Sequence, residues 1–572
     1  MNILGITCYV HDSAACLIKD GRVIANVEEE RLNRVKHTQV FPQRAIEYVL
    51  QAGDLTIRDI DSIAFNWNPL KALVSECLKF LCVSPPVYFK MLKYNRPPKH
   101  FKTILASFLL RAAVRKQIGT GFRGKVLWVD HHLAHSASAY YLSSFANADI
   151  LVIDGFGEFC ATTCLQAQGH TIRRRWWVSA LDSLGIIYLN MTRYLGFERF
   201  QEGKTMALAS LGRDTRRELF KKMIQLRPDG RYRVDKKYLA WWKLASGTLD
   251  PELGLPRKPG EALTQEHMDL AASLQKRVTE AVLALVKAAS QATGNSELCL
   301  AGGLFLNCAI NAAVERSGCY EKYFVPPFTS DTGGAIGAAL YAAFASGNEK
   351  YVPGAQPFSP FLGPDYTDEE IAAALREKKI SYSRVGNPGV IAARALAGGK
   401  VIGWLQGRIE SGPRALGGRS ILASPLDGHI QDYLNSRIKK REYFQPFAPV
   451  VTAQAALKYF DIASPIPESA YCMLLTVTVK KAYRSRLPGI THVDGSSRVQ
   501  VLRPEWNPAL YELLLEFERL TGFAVVINTS FNRHEPIVCS PADAIKTFAA
   551  SELDMLVMGG YIVERDGACA QA

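Results

Sequence analysis

His131 and His135 stand four residues apart in the stretch Asp130-His131-His132-Leu133-Ala134-His135. On a helix that spacing turns two imidazoles to one face, where they can hold a single metal ion. Downstream, the apolar residues 150–153 end in Asp154-Gly155, and a carboxylate at a strand end can complete such a site. His132 faces about 100° away on the same helix and is left out of the set. Spacing alone is met equally well by two histidines that are merely buried or on the surface. A metal held by histidine and carboxylate, in a sheet that reads like a nucleotide-binding fold, points to chemistry on an activated nucleotide or acyl phosphate.

The elements that must position these groups repeat. Residues 2–8, 13–19 and 22–28 read as strands, joined by the loop Tyr9-Val10-His11-Asp12 and the tight turn Asp20-Gly21. The same order recurs at 150–153, 162–167 and 171–178, with Asp154-Gly155-Phe156-Gly157 as the loop and Gly169-His170 as the turn. A strand, polar loop, strand, turn and strand used twice predicts an internal duplication. Two such hairpins facing each other would form the phosphate-gripping cleft of the actin-like ATPase architecture, which the pattern resembles. Residues 298–301 add a strand followed by Gly302-Gly303 and a helix through Asn307. Glycines there let a ligand approach the backbone and the helix N-terminus closely. Ser330-Asp331-Thr332-Gly333-Gly334 repeats the device.

Residues 348–366 are rich in proline without helical periodicity and read as a linker. The chain is therefore expected to be α/β throughout, with one domain over 1–347 and a second over 367–572. The second domain alternates helices near 367–379, 387–398, 507–521 and 541–551 with strands near 401–405, 473–479 and 523–527.

At 572 residues, with 48% hydrophobic and 21% charged residues, the chain has the composition of an ordinary globular protein of two or three domains. No segment approaches eighteen uncharged apolar residues, and His11 and Asp12 interrupt the place where a signal peptide needs its apolar core. A cytoplasmic protein without a transmembrane segment is expected. Twelve cysteines without a CxxC pair are read as reduced thiols, Cys160 and Cys164 as packing residues on one sheet face. The net charge of +14 is concentrated: residues 71–125 hold twelve Lys and Arg against the single acid Glu76, interleaved with aromatic residues. That segment fits a solvated helical insertion, a lip that attracts an anionic substrate, or a patch that rests on a membrane or nucleic acid.

Long motifs then carry a family resemblance. They include His11-Asp12-Ser13-Ala14-Ala15, Glu28-Glu29-Glu30-Arg31, Lys36-His37, the His131 to His135 element and Ala301-Gly302-Gly303 with Asn307. The most specific are Glu410-Ser411-Gly412-Pro413-Arg414-Ala415-Leu416-Gly417-Gly418-Arg419-Ser420 and Ile527-Asn528-Thr529-Ser530-Phe531-Asn532. Nearly end to end, the chain resembles the O-carbamoyltransferases of antibiotic tailoring and nodulation-factor synthesis, of the tobramycin carbamoyltransferase type. The resemblance implies a TsaD-like, duplicated actin-type domain fused to a YrdC-like domain. It also implies a reaction in two stages, in which carbamoyl phosphate and ATP, the latter with Mg2+, give carbamoyl adenylate, and the carbamoyl group passes to a hydroxyl of a natural-product acceptor of secondary metabolism.

Under that resemblance the metal ligands are His131, His135, Asp154 and Asp331, the family's metal being Fe2+, with Mn2+ or Zn2+ equally suited to the ligands. His11 is the candidate base and Lys439 and Arg414 the catalytic cations of adenylate formation. Asp12, Lys36, Gly303, Asn307, Arg419, Arg441, Arg498, Asn528, Ser530 and Asn532 are assigned to substrate and nucleotide. Fixed cations are what two polyanionic substrates require, and arginine meets phosphate oxygens bidentately. Two departures stand out. Gln445-Pro446-Phe447-Ala448-Pro449 lacks the arginine with which relatives begin this motif, and residues 201–210 differ where acceptor recognition is expected. The acceptor is expected to be a small molecule, anionic or lipid-linked, with no nucleic acid bound; the oligomeric state is open, a homodimer included. Alternatives are a tRNA-modifying threonylcarbamoyl enzyme and a non-catalytic nucleotide-binding relative.

Overall fold

The structure, a computed structural model, describes residues 1–82, 104–239, 251–345, 347, 349–355 and 358–565. Part of the basic segment, 83–103, and three residues of the expected linker lie outside the described residues. Contacts divide the chain into two compact units, Met1–Glu29 with His37–Phe358 and Glu30–Lys36 with Ser359–Ala572.

The first unit carries two five-stranded sheets of one design. The first sheet comprises β1 (Asn2–Thr7), β2 (Ala14–Lys19), β3 (Arg22–Glu28), β4 (Ser62–Phe65) and β5 (Lys125–Trp128), in the order β3-β2-β1-β4-β5. The second begins with β6 (Asn147–Gly157), β7 (Cys160–Gln168) and β8 (Thr171–Ser179). After a small separate hairpin of β9 (Ile224–Leu226) and β10 (Tyr232–Val234), it is completed by β11 (Glu297–Ala301) and β12 (Lys322–Phe324). Its order, β12-β11-β6-β7-β8, repeats the first, with antiparallel hairpins on one side and parallel strands on the other. The β2–β3 turn uses Asp20 (φ 51°) and Gly21 (φ 73°), both left-handed, as a two-residue hairpin requires if it is to follow the twist of its strands.

Helix Gly334–Phe344 has ten of its eleven residues buried, so it is apolar on every side and belongs in a core. It packs on β1 and on helix His131–Tyr140. A Cβ at Gly5 would come within 2.0 Å of the Ala335 carbonyl, and one at Gly337 within 1.8 Å of the Ala134 carbonyl. Small residues thus let three backbones close up, and these backbones carry the histidine pair and Asp331.

The second unit is built on a single mixed sheet. Its strands are β13 (Ser383–Arg384), β14 (Ile402–Leu405), β15 (Arg419–Ala423), β16 (Ala448–Val451), β17 (Phe460–Asp461), β18 (Leu475–Val479), β19 (Ser496–Val501), β20 (Val525–Ser530), β21 (Met555–Met558) and β22 (Tyr561–Glu564). They lie in the order β13-β22-β21-β14-β15-β20-β16-β19-β18-β17. Helices Pro388–Ala397 and Pro508–Thr521 pack together over a core that includes Trp404, Leu510, Leu513, Leu514 and Phe517. Each begins with proline at its first turn and an asparagine cap, Asn387 or Asn507, whose side chain accepts an amide hydrogen bond.

Two sequence expectations need correction here. Residues 30–36 pack with the second unit, not the first: Arg31 donates to the Gly412 carbonyl (2.8 Å), and Arg34 donates to the carbonyls of Pro536 (2.6 Å) and Ile537 (2.7 Å) and pairs with Asp543 (3.3 Å). The strand expected at 523–527 runs on to Ser530, which places Asn528 and Ser530 inside the sheet.

Candidate functional site

The β6–β7 ladder breaks between Ile153 and Gly157. A break of this kind re-aims a side chain out of the sheet, here Asp154. Gly302 (φ 96°) lies so close to β6 that a Cβ would meet the Ile153 carbonyl at 2.3 Å, a conformation and a space that only glycine tolerates. Next to it the Gly303 amide donates to Asp154 Oδ1 (2.9 Å), leaving Oδ2 directed elsewhere.

That direction is the histidine pair. Nε2 of His131 and of His135 are 3.1 Å apart. Asp154 Oδ2 is 3.5 Å from His131 Nε2, and Asp331 Oδ1 lies 3.4 Å from His131 Nε2 and 3.5 Å from His135 Nε2. One ligand atom from each of the four residues falls within 4.8 Å of all the others. Bonds of about 2.0–2.2 Å to one central ion put its ligand atoms at about these separations. Asp331 Oδ1 is buried without a hydrogen-bond partner, so the oxygen facing the imidazoles is the one left for another use. Burial would discharge His131, but the Asp331 and Asp154 carboxylates hold its pKa well above the usual histidine value. Burial likewise opposes ionisation of Asp331, yet His11 and His131 keep it well below the ordinary carboxylate range. Two ionised carboxylates thus share a buried space with protons that a divalent cation would replace.

Around this set stand groups that hold it. His11 Nδ1 bonds Asp12 (3.0 Å) while its Nε2 lies 3.3 Å from Asp331 Oδ2. Burial depresses the His11 pKa, but Asp331 and Asp12 together lift it to about 9. Asp12 is engaged on both oxygens, since His37 Nδ1 is 2.7 Å from Oδ1. Its role in the structure is to orient two imidazoles. Phe200, immediately before residues 201–210, stacks on His37 (4.0 Å between ring centroids) and meets His11 edge-on (5.2 Å).

Glu158 is a group that sequence reasoning missed. Its carboxylate accepts the His131 amide on both oxygens (3.2 Å each) and the Asn68 amide (3.0 Å), so it caps the helix that carries His131 and His135. Burial raises its pKa to about 7. The acid is visible in the sequence, but nothing in its spacing says that the β6–β7 turn folds back onto residue 131. His132 donates to or accepts from Thr163 (2.7 Å), and burial pushes it down to about 3, a packing histidine as its helix angle implied. Asn307 caps helix Cys308–Arg316 and pairs with Gln275 (2.8 Å).

The second unit gathers charge of the opposite sign. Lys439 ends the π-helical turn Leu434–Lys439, and its buried ammonium donates to the Ser530 carbonyl (2.8 Å) and Oγ (3.2 Å) and to the Asn532 carbonyl (2.7 Å) and Oδ1 (2.8 Å). All four acceptors are neutral. Burial lowers the Lys439 pKa well below its usual value; Arg441 and Lys36 push the same way and Glu535 opposes them. Arg441, fixed by Asn435 (2.7 Å) and lying over the Phe447 ring (4.5 Å), is pushed down to about 10 by burial and by Arg498. A buried ammonium held by neutral oxygens, with half-buried guanidinium groups clustered near it, is suited to receive an anion. Lys36, assigned by resemblance to the nucleotide, is exposed and belongs to this unit. Arg414 is half-buried on the irregular stretch before β15.

Arg419 requires a correction. It is fully buried, with Nε on the Cys539 carbonyl (2.9 Å) and the terminal nitrogens on carbonyls of Gly407 (2.8 Å), Gly418 (3.0 Å) and Pro364 (3.1 Å). Its donors are spent on the backbone, so it pins loops and does not reach a phosphate. Asn528, buried, donates to Gln500 (2.7 Å) and the Ala415 carbonyl (3.2 Å). Gln445, read from the resemblance as a lost arginine, donates to Glu442 (2.6 Å).

Residues 2–340 match the family model for the carbamoyltransferase N-terminus and residues 393–565 that for the carbamoyltransferase C-terminus. The chain belongs to the carbamoyltransferase family. This carbamoyltransferase is 37% identical to an uncharacterized protein of Synechocystis sp. over 99% of its own length and 97% of the relative's. It is 37% identical to nodulation protein NolNO of Sinorhizobium fredii, covering 97% of the chain and 79% of that protein. Nodulation protein NolO of Bradyrhizobium diazoefficiens is 36% identical over 77% of the chain and 80% of its own. Among solved structures, component A of (R)-2-hydroxyglutaryl-CoA dehydratase from Acidaminococcus fermentans aligns at 14% identity over 60% of this chain and 97% of that one, with a TM-score of 0.31. Full-length HypF aligns at 12% identity over 60% and 55%, with a TM-score of 0.33. Likeness at that level is too slight to bear on the chemistry.

Proposed function

We propose that this carbamoyltransferase forms carbamoyl adenylate from ATP and carbamoyl phosphate in its second unit and passes the carbamoyl group to an acceptor hydroxyl in its first. On this reading the first unit's paired sheets are the actin-like arrangement and the second unit is YrdC-like. The observation that carries the proposal is the meeting of His131, His135, Asp154 and Asp331 with His11 held against the same Asp331.

Arg441, Arg498 and Arg414 would receive the phosphate oxygens of the two substrates and screen their repulsion, with the Lys439 ammonium, its protons taken by Ser530 and Asn532, adding positive charge. In the first unit Asp12 accepts a hydrogen bond from the His11 Nδ1–H and leaves Nε2 to take a proton from the acceptor hydroxyl. The acceptor oxygen forms its bond to the carbamoyl carbon as the bond from that carbon to the AMP oxygen breaks. His131, His135, Asp154 and Asp331 would hold a divalent ion, Fe2+, Mn2+ or Zn2+, which supplies Lewis acidity for the carbamoyl oxygen. Asp331 is the largest influence raising His11, and an ion held by that carboxylate would draw the His11 pKa down.

The acceptor is expected to be a small hydroxyl compound. Incubation with carbamoyl phosphate, Mg-ATP and an acceptor pool should release phosphate, pyrophosphate and AMP and add one carbamoyl group to the product by mass. His11→Ala should still exchange pyrophosphate into ATP in the presence of carbamoyl phosphate, yet make no carbamoylated product. Carbamoylation that proceeds equally fast without ATP rejects the adenylate route.

A further inference from the structure

Two helical stretches of the first unit each turn an apolar face outward. In helix Pro69–Cys82, residues 69, 72 and 75 are buried, whereas Leu70, Leu73 and Val74 are exposed at the i, i+3, i+4 spacing of one helix face. Residues 104–108 continue into helix Leu110–Gln117 through Leu109, whose amide still bonds the Leu105 carbonyl (3.1 Å). There Leu105, Phe108 and Leu109 repeat the pattern, outward-facing, while Leu110 and Val114 point in. The six side chains are 39 to 64% exposed, where an ordinary surface helix would carry charge.

Both stretches abut the end of β5. Trp128, itself exposed, donates its indole N–H to the Ser107 carbonyl (3.4 Å), and Lys71 pairs with Asp130. The second helix and the residues that follow it are rich in cations. Arg111, Arg115, Lys116, Arg123 and Lys125 are all exposed, none pairs with a carboxylate among the described residues, and residues 104–129 contain no Asp or Glu.

We propose that this face is an interfacial docking surface for an anionic phospholipid bilayer. An apolar helix face flanked by unpaired cations matches the boundary between acyl chains and acidic head groups, and an exposed tryptophan with one bonded N–H suits the same depth. Among the described residues no helix is long and apolar enough to span a membrane, and the proposed contact is with its surface. A protein partner would not call for the excess of cations, and a nucleic acid would not call for the leucines. The proposal concerns where the enzyme works and stands or falls apart from the reaction assigned above.

The test is co-sedimentation of the full chain with vesicles of phosphatidylglycerol and phosphatidylcholine, against vesicles of phosphatidylcholine alone. Binding to the anionic vesicles that weakens with salt is expected. Leu73→Asp with Phe108→Asp should cut the partition coefficient about tenfold or more, and Arg111→Glu with Arg115→Glu and Lys116→Glu should do the same. These sites are exposed, so circular dichroism and thermal melting should match the parent, and retained folding assigns the loss to the surface. Four results overturn the proposal: no preference for anionic vesicles; binding that the substitutions leave intact; self-association abolished by Leu73→Asp without vesicle binding, which gives the face to a second copy; or tRNA binding through the same arginines with vesicles ignored.

Discussion

The two units present opposite electrostatic problems to their substrates. In the first, Asp154 and Asp331 bring ionised carboxylates into a buried space whose neighbours are imidazoles. In the second, Lys439 is buried among neutral oxygens with Arg441 nearby, and Arg441 has Arg498 beside it. On the proposed reading each is satisfied by a species of the other sign, a cation in one and a polyanion in the other. The contrast teaches that a pocket's unmet charge, more than its shape, states what it is made to bind.

The sharpest way to break this comparison is to remove the shared carboxylate. Asp331→Ala takes a partner from His11, His131 and His135 at once, and should lower transfer on the order of 10³-fold with loss of bound metal by elemental analysis. Pyrophosphate exchange should survive; if it fails too, the units do not divide the chemistry. Arg419→Met tests whether a buried arginine here serves structure. It strands four carbonyls and should cost about 3 kcal/mol or more in urea unfolding, ahead of any effect on substrate affinity. Lys439→Met should cut exchange on the order of 10²-fold while leaving metal content unchanged. The smallest effect is expected of Glu158→Gln, which keeps an acceptor for the His131 amide but loses the charge at the helix start. Metal affinity measured by competition should fall about tenfold, with the melting curve little altered.

Much of the first unit was legible because its signals are local. Alternating strands, the Asp20-Gly21 turn and the i, i+4 histidines depend on neighbours within a few residues, and the recurrence of one pattern pointed to two sheets of one design. Charge-bearing motifs were read less well. Arg419 sits in a glycine-rich run that looks built for phosphate, yet carbonyls from Pro364 to Cys539 use up its donors, and such distant acceptors leave no trace in spacing. Glu158 was passed over for the same reason in reverse. Its partner lies 27 residues away and is a backbone amide, which every residue but proline has. Gln445 looked like a lost cation; its side chain turns to Glu442, so the position serves its own loop.

Residues 30–36 enter the sequence between strands of one unit and are used by the other. A protease that cut the proline-rich stretch before Ser359 would leave the C-terminal fragment without Arg31 and Arg34, and so without their bonds to residues 412, 536, 537 and 543. The halves of this enzyme are therefore not separable cassettes. A gene split at that stretch should yield activity only when both fragments are produced together, and exchange of one half between relatives would have to carry this short piece of the other along with it.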